Sequence, residues 1–221
     1  MKPQLTLPLL KKSARDFVRD LGKRDIADLY GITDGKAVGT HVEHQFFKYL
    51  TARFAYQVGS SASGIDFPDL TVDLKVTSIR QPQSSCPYKS ASQKVYGLGY
   101  HLLVFVYEKH DNSRKKTARL NFRHGLFIDL RHTADYQTTR GLLEILDREG
   151  NQDDVAAYLE ERNLPLDDIG RTRLAQQILS ERPAQGYLTV SNALQWRLQY
   201  GRAVEIAAKG GNEGIENLLA T

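Results

Sequence analysis

Cysteine is almost missing from this chain: Cys86 is the only one in 221 residues. A lone thiol cannot close an intramolecular disulfide or build a thiolate zinc site, so neither a disulfide framework nor a zinc knuckle is available. Long apolar runs are missing too. The longest, Leu102 to Tyr107, is far short of the roughly 20 residues a membrane span requires. The opening MKPQLTLPLLKKSARDF has too short an apolar run for a secretory signal. A soluble chain in a reducing, cytoplasmic setting is the expectation. There is no repeat of 20–50 residues and no stretch rich enough in Gly, Ser or Pro to divide the chain cleanly. The chain is long enough to bury roughly 70% of its unfolded surface. Its 41% hydrophobic and 25% charged residues suit one packed core, with or without a helical appendage.

One sign of charge is absent locally. From Leu74 to Tyr107 no Asp or Glu occurs, while Lys75, Arg80, Lys89 and Lys94 do. Residues 76–124 carry nine Lys or Arg against Glu108 and Asp111, and residues 144–181 carry ten acids against four Arg. The net charge of +4 hides this asymmetry. A basic surface opposite an acidic one is what a polyanion-binding protein presents, because displaced phosphate counterions supply much of its affinity. A solvated basic loop would give the same composition, so charge alone does not decide.

Apolar periodicity changes along the chain. Helical spacing holds Phe17, Val18 and Leu21, then Ile26, Leu29 and Tyr30 before the turn residues Thr33, Asp34 and Gly35. Strand-like runs follow at Leu70 to Thr77, His101 to Tyr107, Thr117 to Phe122 and Leu126 to Leu130. After about residue 135 the spacing is helical again: Leu142, Leu143 and Leu146; Val155, Tyr158 and Leu159; and Leu194, Leu198 and Val204, with Ser191 placed as an N-cap. The order predicts an α/β or α+β core over residues 1–135 and a mainly helical part over 136–221.

Within a helix expected from Val38 to Phe54, Glu43 lies three, four, seven and eleven residues before Phe46, Phe47, Leu50 and Phe54. It therefore shares their buried side. An inward carboxylate needs a cation, either a buried Arg or a metal.

The segment Gly64-Ile65-Asp66-Phe67-Pro68-Asp69-Leu70-Thr71-Val72-Asp73-Leu74-Lys75-Val76-Thr77 carries the strongest chemical signal. Alternation puts Asp73 and Lys75 on one face of a strand and Leu70, Val72, Leu74 and Val76 on the other. Two acids converging from a loop and a strand can hold Mg²⁺, a hard cation that takes carboxylates, carbonyls and water. A lysine two residues after the second acid faces the same side, where it can orient or deprotonate a water attacking a phosphodiester. A second acid-x-Lys, Asp34-Gly35-Lys36, sits in a turn without such a strand.

The segment SASGIDFPDLTVDLKVTS resembles the active-site motif of the PD-(D/E)xK nuclease superfamily. It is most similar to the branch that contains the mismatch-repair nicking endonuclease MutH and related Type II restriction enzymes. That branch has an Asp followed by Phe and Pro, six intervening residues, then an acid-x-Lys strand, matched by Asp66, Asp73 and Lys75. Its helical Glu shortly after a Gly is matched by Gly39 and Glu43 in AVGTHVEHQFF. The likeness covers roughly residues 15–80. The second acid is Asp73 where the branch usually has Glu, and Asp69 competes with Asp66 as first acid. The branch also has a later lysine near its site, a place for Lys89 or Lys94 that no motif fixes.

The resemblance implies a restriction-endonuclease-like central mixed β-sheet flanked by helices. It further implies a Mg²⁺-dependent Type II restriction endonuclease acting on double-stranded DNA as a monomer or homodimer. Asp66 and Asp73 would hold the metal, Lys75 would position the water and Glu43 would assist. A mismatch-repair nickase and a non-catalytic DNA-binding protein on the same fold are the alternatives.

Arg80, Lys89, Lys94 and Arg197 are the expected DNA contacts. Side chains able to reach base edges occur in the loop from Ser78 to Lys94, with Arg80, Gln81, Gln83, Lys89, Gln93 and Lys94, and in the later part with Arg171, Arg173, Gln176, Asn192, Gln195, Arg197 and Gln199. The first loop is expected to touch the backbone beside the active site, and the later, helical part, especially around Gly186 to Arg202, to form the second wall of a DNA cleft. The six histidines show no metal-ligand spacing. Cys86 has no catalytic frame, Ser60, Ser61 and Ser63 read as loop, and Trp196 with Tyr200 reads as helix packing.

Overall fold

Two amphipathic helices open the chain, each fixed by apolar residues at helical spacing. In α1 (Leu7–Leu21) a proline in the first turn costs no hydrogen bond, and Leu10, Ala14, Phe17, Val18 and Leu21 are buried. In α2 (Gly35–Thr51) the Asp34 carboxylate caps the start, accepting from Lys36 N at 3.0 Å and Ala37 N at 3.3 Å. Val38, Val42, Phe46 and Leu50 form its buried stripe. This helix begins and ends three residues before the expected Val38 to Phe54, because the cap at Asp34 sets its origin. The computed structural model describes residues 2–59, 64–85, 89–191 and 197–220.

In chain order there follow β1 (Val72–Ser78), β2 (Gln83–Ser85), α3 (Gln93–Tyr96), β3 (His101–Asn112) and β4 (Thr117–Ile128). Then come α4 (Tyr136–Asp147), α5 (Gln152–Glu161), α6 (Asp168–Ser180), β5 (Thr189–Val190), β6 (Arg197–Gln199), α7 (Gly201–Ala208) and β7 (Ile215–Asn217). The main sheet has the order β1-β3-β4-β7; β1 runs parallel to β3, and the other pairs are antiparallel. The fold is the expected central mixed sheet flanked by helices.

Strand β3 is covered on both faces. Leu103, Phe105 and Tyr107 pack with α1 and α2, where the Phe46 ring lies 5.0 Å from Phe17 and 5.2 Å from Phe105. Leu102, Val104 and Val106 pack on the other side with Leu198, Tyr200 and Ala203. Double coverage explains why Leu102 to Tyr107 is continuously apolar rather than alternating. A third cluster, including Val95, Leu142, Val155 and Ile178, joins α3 to α4, α5 and α6. Strand β1 lies at the sheet edge in register with β3, so Asp73, Lys75 and Thr77 stand opposite Leu102, Val104 and Val106.

Three expectations need correction. The runs 117–122 and 126–130 belong largely to one strand, β4, whose polar middle is held by pairing with β3; a register irregularity falls at Val106/Tyr107. The helix expected through Leu194, Leu198 and Val204 is corrected at Leu198, which lies in β6; among the described residues of that stretch 201–208 are helical, and Leu194 lies outside them. Ser191 is no N-cap: its backbone N donates to Arg197 O at 3.1 Å, and its hydroxyl accepts from Arg197 N at 3.2 Å, so it joins β5 to β6. Burial alternates Arg197 out, Leu198 in, Gln199 out, Tyr200 in, a period of two too short to register in the sequence. After Asp135 the chain also returns to the strands before it, β7 pairing with β4 and β6 with β2.

Candidate active site

The loop before β1 is folded back on the strand it enters. Phe67 and Val72 exchange backbone hydrogen bonds, Phe67 N to Val72 O at 2.9 Å and Val72 N to Phe67 O at 3.2 Å, around a 3-10 turn at Pro68–Leu70. The turn closes through Thr71 at φ 54, a left-handed conformation that costs a β-branched residue energy. The reversal brings Asp66 alongside the strand. An edge strand leaves backbone donors without a ladder partner, and the N–H of Leu74 is satisfied by Asp66 Oδ2 at 2.8 Å. Six intervening residues are therefore what the turn uses to set Asp66 beside Asp73.

Asp66, Asp73 and Lys75 line one pocket of about 260 Å³, with Glu43 entering from α2. Asp73 is 3% exposed. Lys75 Nζ lies 2.7 Å from Asp73 Oδ2, yet the contact lacks hydrogen-bond alignment, and that oxygen has no aligned donor among the described residues. Burial pushes the Asp73 carboxyl up to about 7; the Lys75 ammonium works against this, and the adjacent Asp66 adds to it. Burial and the Asp66 charge raise Glu43 as well, opposed by Lys75 and His44. Burial alone would lower Lys75, but Asp73, Asp66 and Glu43 together raise it. Three acids thus surround one lysine, and the excess negative charge is available for a cation.

The donors are all oxygens, and one of them is buried without an aligned partner. That set fits a hard cation such as Mg²⁺, which keeps several waters and takes one or two carboxylates. Among the described residues no three His, Cys, Asp or Glu converge tightly enough to cage a metal alone. A metal here would rest on Asp66 and Asp73, with water or substrate oxygen completing the shell.

The remaining candidates separate clearly. Asp69 is exposed, accepts from Gln57 N at 3.3 Å and does not line the pocket. Arg80 and Arg197 are exposed and line a larger cleft of about 1040 Å³ that shares Glu43 and Lys75 with the pocket. Lys89 is exposed but does not line that cleft. Lys94 cannot be a surface phosphate contact, because it is 3% exposed. Nor does it fill the place of a later active-site lysine: the charges that act on it are Asp135 and Arg162. Gln93, 6% exposed, is likewise no base reader; its Oε1 accepts from Lys89 N at 2.9 Å. Both are drawn inward because Ala91, just before α3, and Val95, within it, pack into the third cluster.

On α6, Arg171 pairs with Asp168 and Glu160, and neither it, Arg173 nor Gln176 lines either cavity. His101 Nδ1 accepts from Leu130 N at 2.9 Å, and His132 Nδ1 contacts Gln185 O at 2.8 Å, as structural histidines do. Ser60, Ser61, Ser63, Cys86, Asn192, Gln195 and Trp196 lie outside the described residues. Tyr200 is fully buried, as expected, but at the end of a strand rather than on a helix. Thr77, which strand alternation already places on the face of Asp73 and Lys75, is 5% exposed and follows them there; sequence reasoning assigned it no role.

The comparisons with known proteins bear on this geometry. Residues 4–217 match the family described as Type II restriction enzyme NspV. The curated Type II restriction enzyme NspV of Nostoc sp. (strain ATCC 29411 / PCC 7524) is 58% identical over 211 residues, covering 96% of this chain and 95% of that one. No solved structure matches the chain. The match runs through the α2 helix, the loop, the β1 strand and the strands that return to the sheet, so it covers the whole architecture rather than one motif. The chain belongs to the NspV family of Type II restriction enzymes.

Proposed function

We propose that the protein is a Mg²⁺-dependent endodeoxyribonuclease that cuts duplex DNA at a short specific sequence, with a PD-(D/E)xK site made of Asp66, Asp73, Lys75 and Glu43. The observation that carries this reading is the 2.8 Å hydrogen bond from Leu74 N to Asp66 Oδ2, which holds a loop acid beside the Asp73–Lys75 face in one pocket. When bound between Asp66 and Asp73, Mg²⁺ would lower the pKa of a coordinated water and offset charge on the phosphoryl oxygens. Lys75, kept protonated by the acids around it, acts as a donor: it orients the attacking water and stabilises the charge that develops on the phosphoryl group. Glu43 acts on the Lys75 ammonium through its charge from the helix side. Arg80 and Arg197, in the adjoining cleft, contact the duplex, and Lys89 extends the basic surface.

No helix among the described residues is long and apolar enough to cross a membrane. A cytoplasmic protein acting on intracellular DNA is the setting we infer. The test is incubation of supercoiled, unmodified plasmid with the protein and Mg²⁺. Discrete linear fragments are expected, and Asp73→Ala should leave the plasmid supercoiled while still binding it. Open circles alone would indicate a nickase, and no cutting by the unmutated protein would leave only a DNA-binding protein.

A further inference from the structure

The small second sheet has a face that the cleavage pocket does not use. Gln83 stands opposite Gln199, which also faces Thr189; Ser84 and Val190 flank Leu198; Ser85 stands opposite Arg197. Alternation turns Leu198 and Val190 into the core, and the Ser84 hydroxyl bonds the Tyr200 hydroxyl at 2.6 Å. The opposite face is thereby left with Gln83, Gln199 and Thr189 in one row and Ser85 and Arg197 beside it. All are exposed except Gln83, which is half-buried. Among the described residues of this sheet, no acid lies on this face. Carboxamides and a guanidinium are the side chains that pair bidentately with base edges, whereas a merely solvated face has no reason to exclude carboxylates.

This face is fastened to the catalytic strand. Thr77, 5% exposed, follows Asp73 and Lys75 on the same side of β1. Its hydroxyl accepts from Gln83 N at 3.0 Å and donates toward Gln83 O at 3.0 Å or Gln81 O at 3.3 Å. Four residues of strand put Thr77 about 13 Å beyond Asp73, comparable with the roughly 12 Å width of a major groove. The cleft of about 1040 Å³ is continuous between the two, from Glu43 and Lys75 to Gln83, Ser85 and Arg197.

We propose that the exposed face of β2-β6-β5 enters the major groove of the DNA and reads base edges through Gln83, Gln199 and Arg197. Thr77 is the positioning residue that keeps this reader in register with Asp73 and Lys75. The proposal rests on the nuclease reading above and replaces the expected helical wall by a β-ribbon. A bidentate base contact discriminates by roughly 5- to 150-fold.

The test uses full-length protein carrying Asp73→Ala, so that bound DNA is not cut, and selects binders from a pool of randomised duplexes. The parent should enrich one short motif. Adding Gln83→Ala, Gln199→Ala or Arg197→Ala should erase the preference at particular positions while the others persist. Thr77→Val should blur the motif throughout, and Thr77→Ser should restore it, with both folding normally by circular dichroism. A motif unchanged by all three alanine variants would overturn the proposal, as would uniform weakening on every sequence or a parent that enriches nothing. Plasmid cutting by the unmutated protein with Mg²⁺ reports separately on the nuclease reading.

Discussion

Asp73→Asn is expected to stabilise the metal-free protein at pH 8 while removing cleavage. Burial pushes the carboxyl from 3.8 up to about 7, and with about 1.4 kcal/mol for each tenfold change in the protonation equilibrium the ceiling is about 4 kcal/mol. Because the folded pKa lies above the unfolded one, the fold favours the protonated acid. That contribution is fully present below pH 3.8 and is lost as pH rises through about 7. At pH 8 the wild-type protein holds an ionised, buried carboxylate, and the Asn variant does not. The gain falls short of the ceiling because Lys75 loses its 2.7 Å partner. Asp66 and Glu43 still act on that ammonium, so it is not stranded. A net gain of about 1–3 kcal/mol should raise Tm by about 2–10 °C in a chain of this size. Thermal unfolding with a chelator present, at pH 5 and pH 8, measures it, and the gap between variant and wild type should shrink at pH 5. Saturating Mg²⁺ at pH 8 should narrow the gap from the other side, because it binds the wild type alone. A variant that melts below wild type at pH 8, or a gap independent of pH, would refute the reasoning.

Three further outcomes follow from particular residues. Burial lowers the pKa of Lys94, so the fold carries an unfavourable charge at pH 7 that disappears only as pH rises toward 10.5; Lys94→Met should therefore raise Tm at pH 7 and leave the salt dependence of DNA binding unchanged in a fluorescence titration. Thr71→Asn should relieve the left-handed backbone at φ 54 by about 1 kcal/mol, read as a higher urea midpoint at constant m-value. Arg80→Ala should reduce the slope of log K against log salt by about 0.9, one phosphate contact, without altering base preference.

The grouping of the candidate site residues in one pocket was legible because its signals are local. Asp73 and Lys75 declare their face by strand alternation, Phe67 and Pro68 mark the turn that folds Asp66 back, and Glu43 lies half-buried beside the apolar stripe of its helix. The second sheet was not legible for an equally physical reason. Its strands are two or three residues long, and β2 pairs with a strand more than 100 residues away, so no period could build up and no turn links the partners. Lys94 and Gln93 looked like surface side chains because a four-residue helix shows no periodicity to say which way it faces. The polar outer half of β3 and β4 is strand only because each supplies the other's ladder.

Cleavage of unmodified phage DNA in Mg²⁺ by wild type, Asp66→Ala, Asp69→Ala and Asp73→Ala, each first shown to bind DNA, tests the central claim most directly. The account predicts discrete fragments with a single end sequence from wild type and from Asp69→Ala, and none from Asp66→Ala or Asp73→Ala. Undiminished cutting by Asp66→Ala, with cutting abolished in Asp69→Ala, would contradict it.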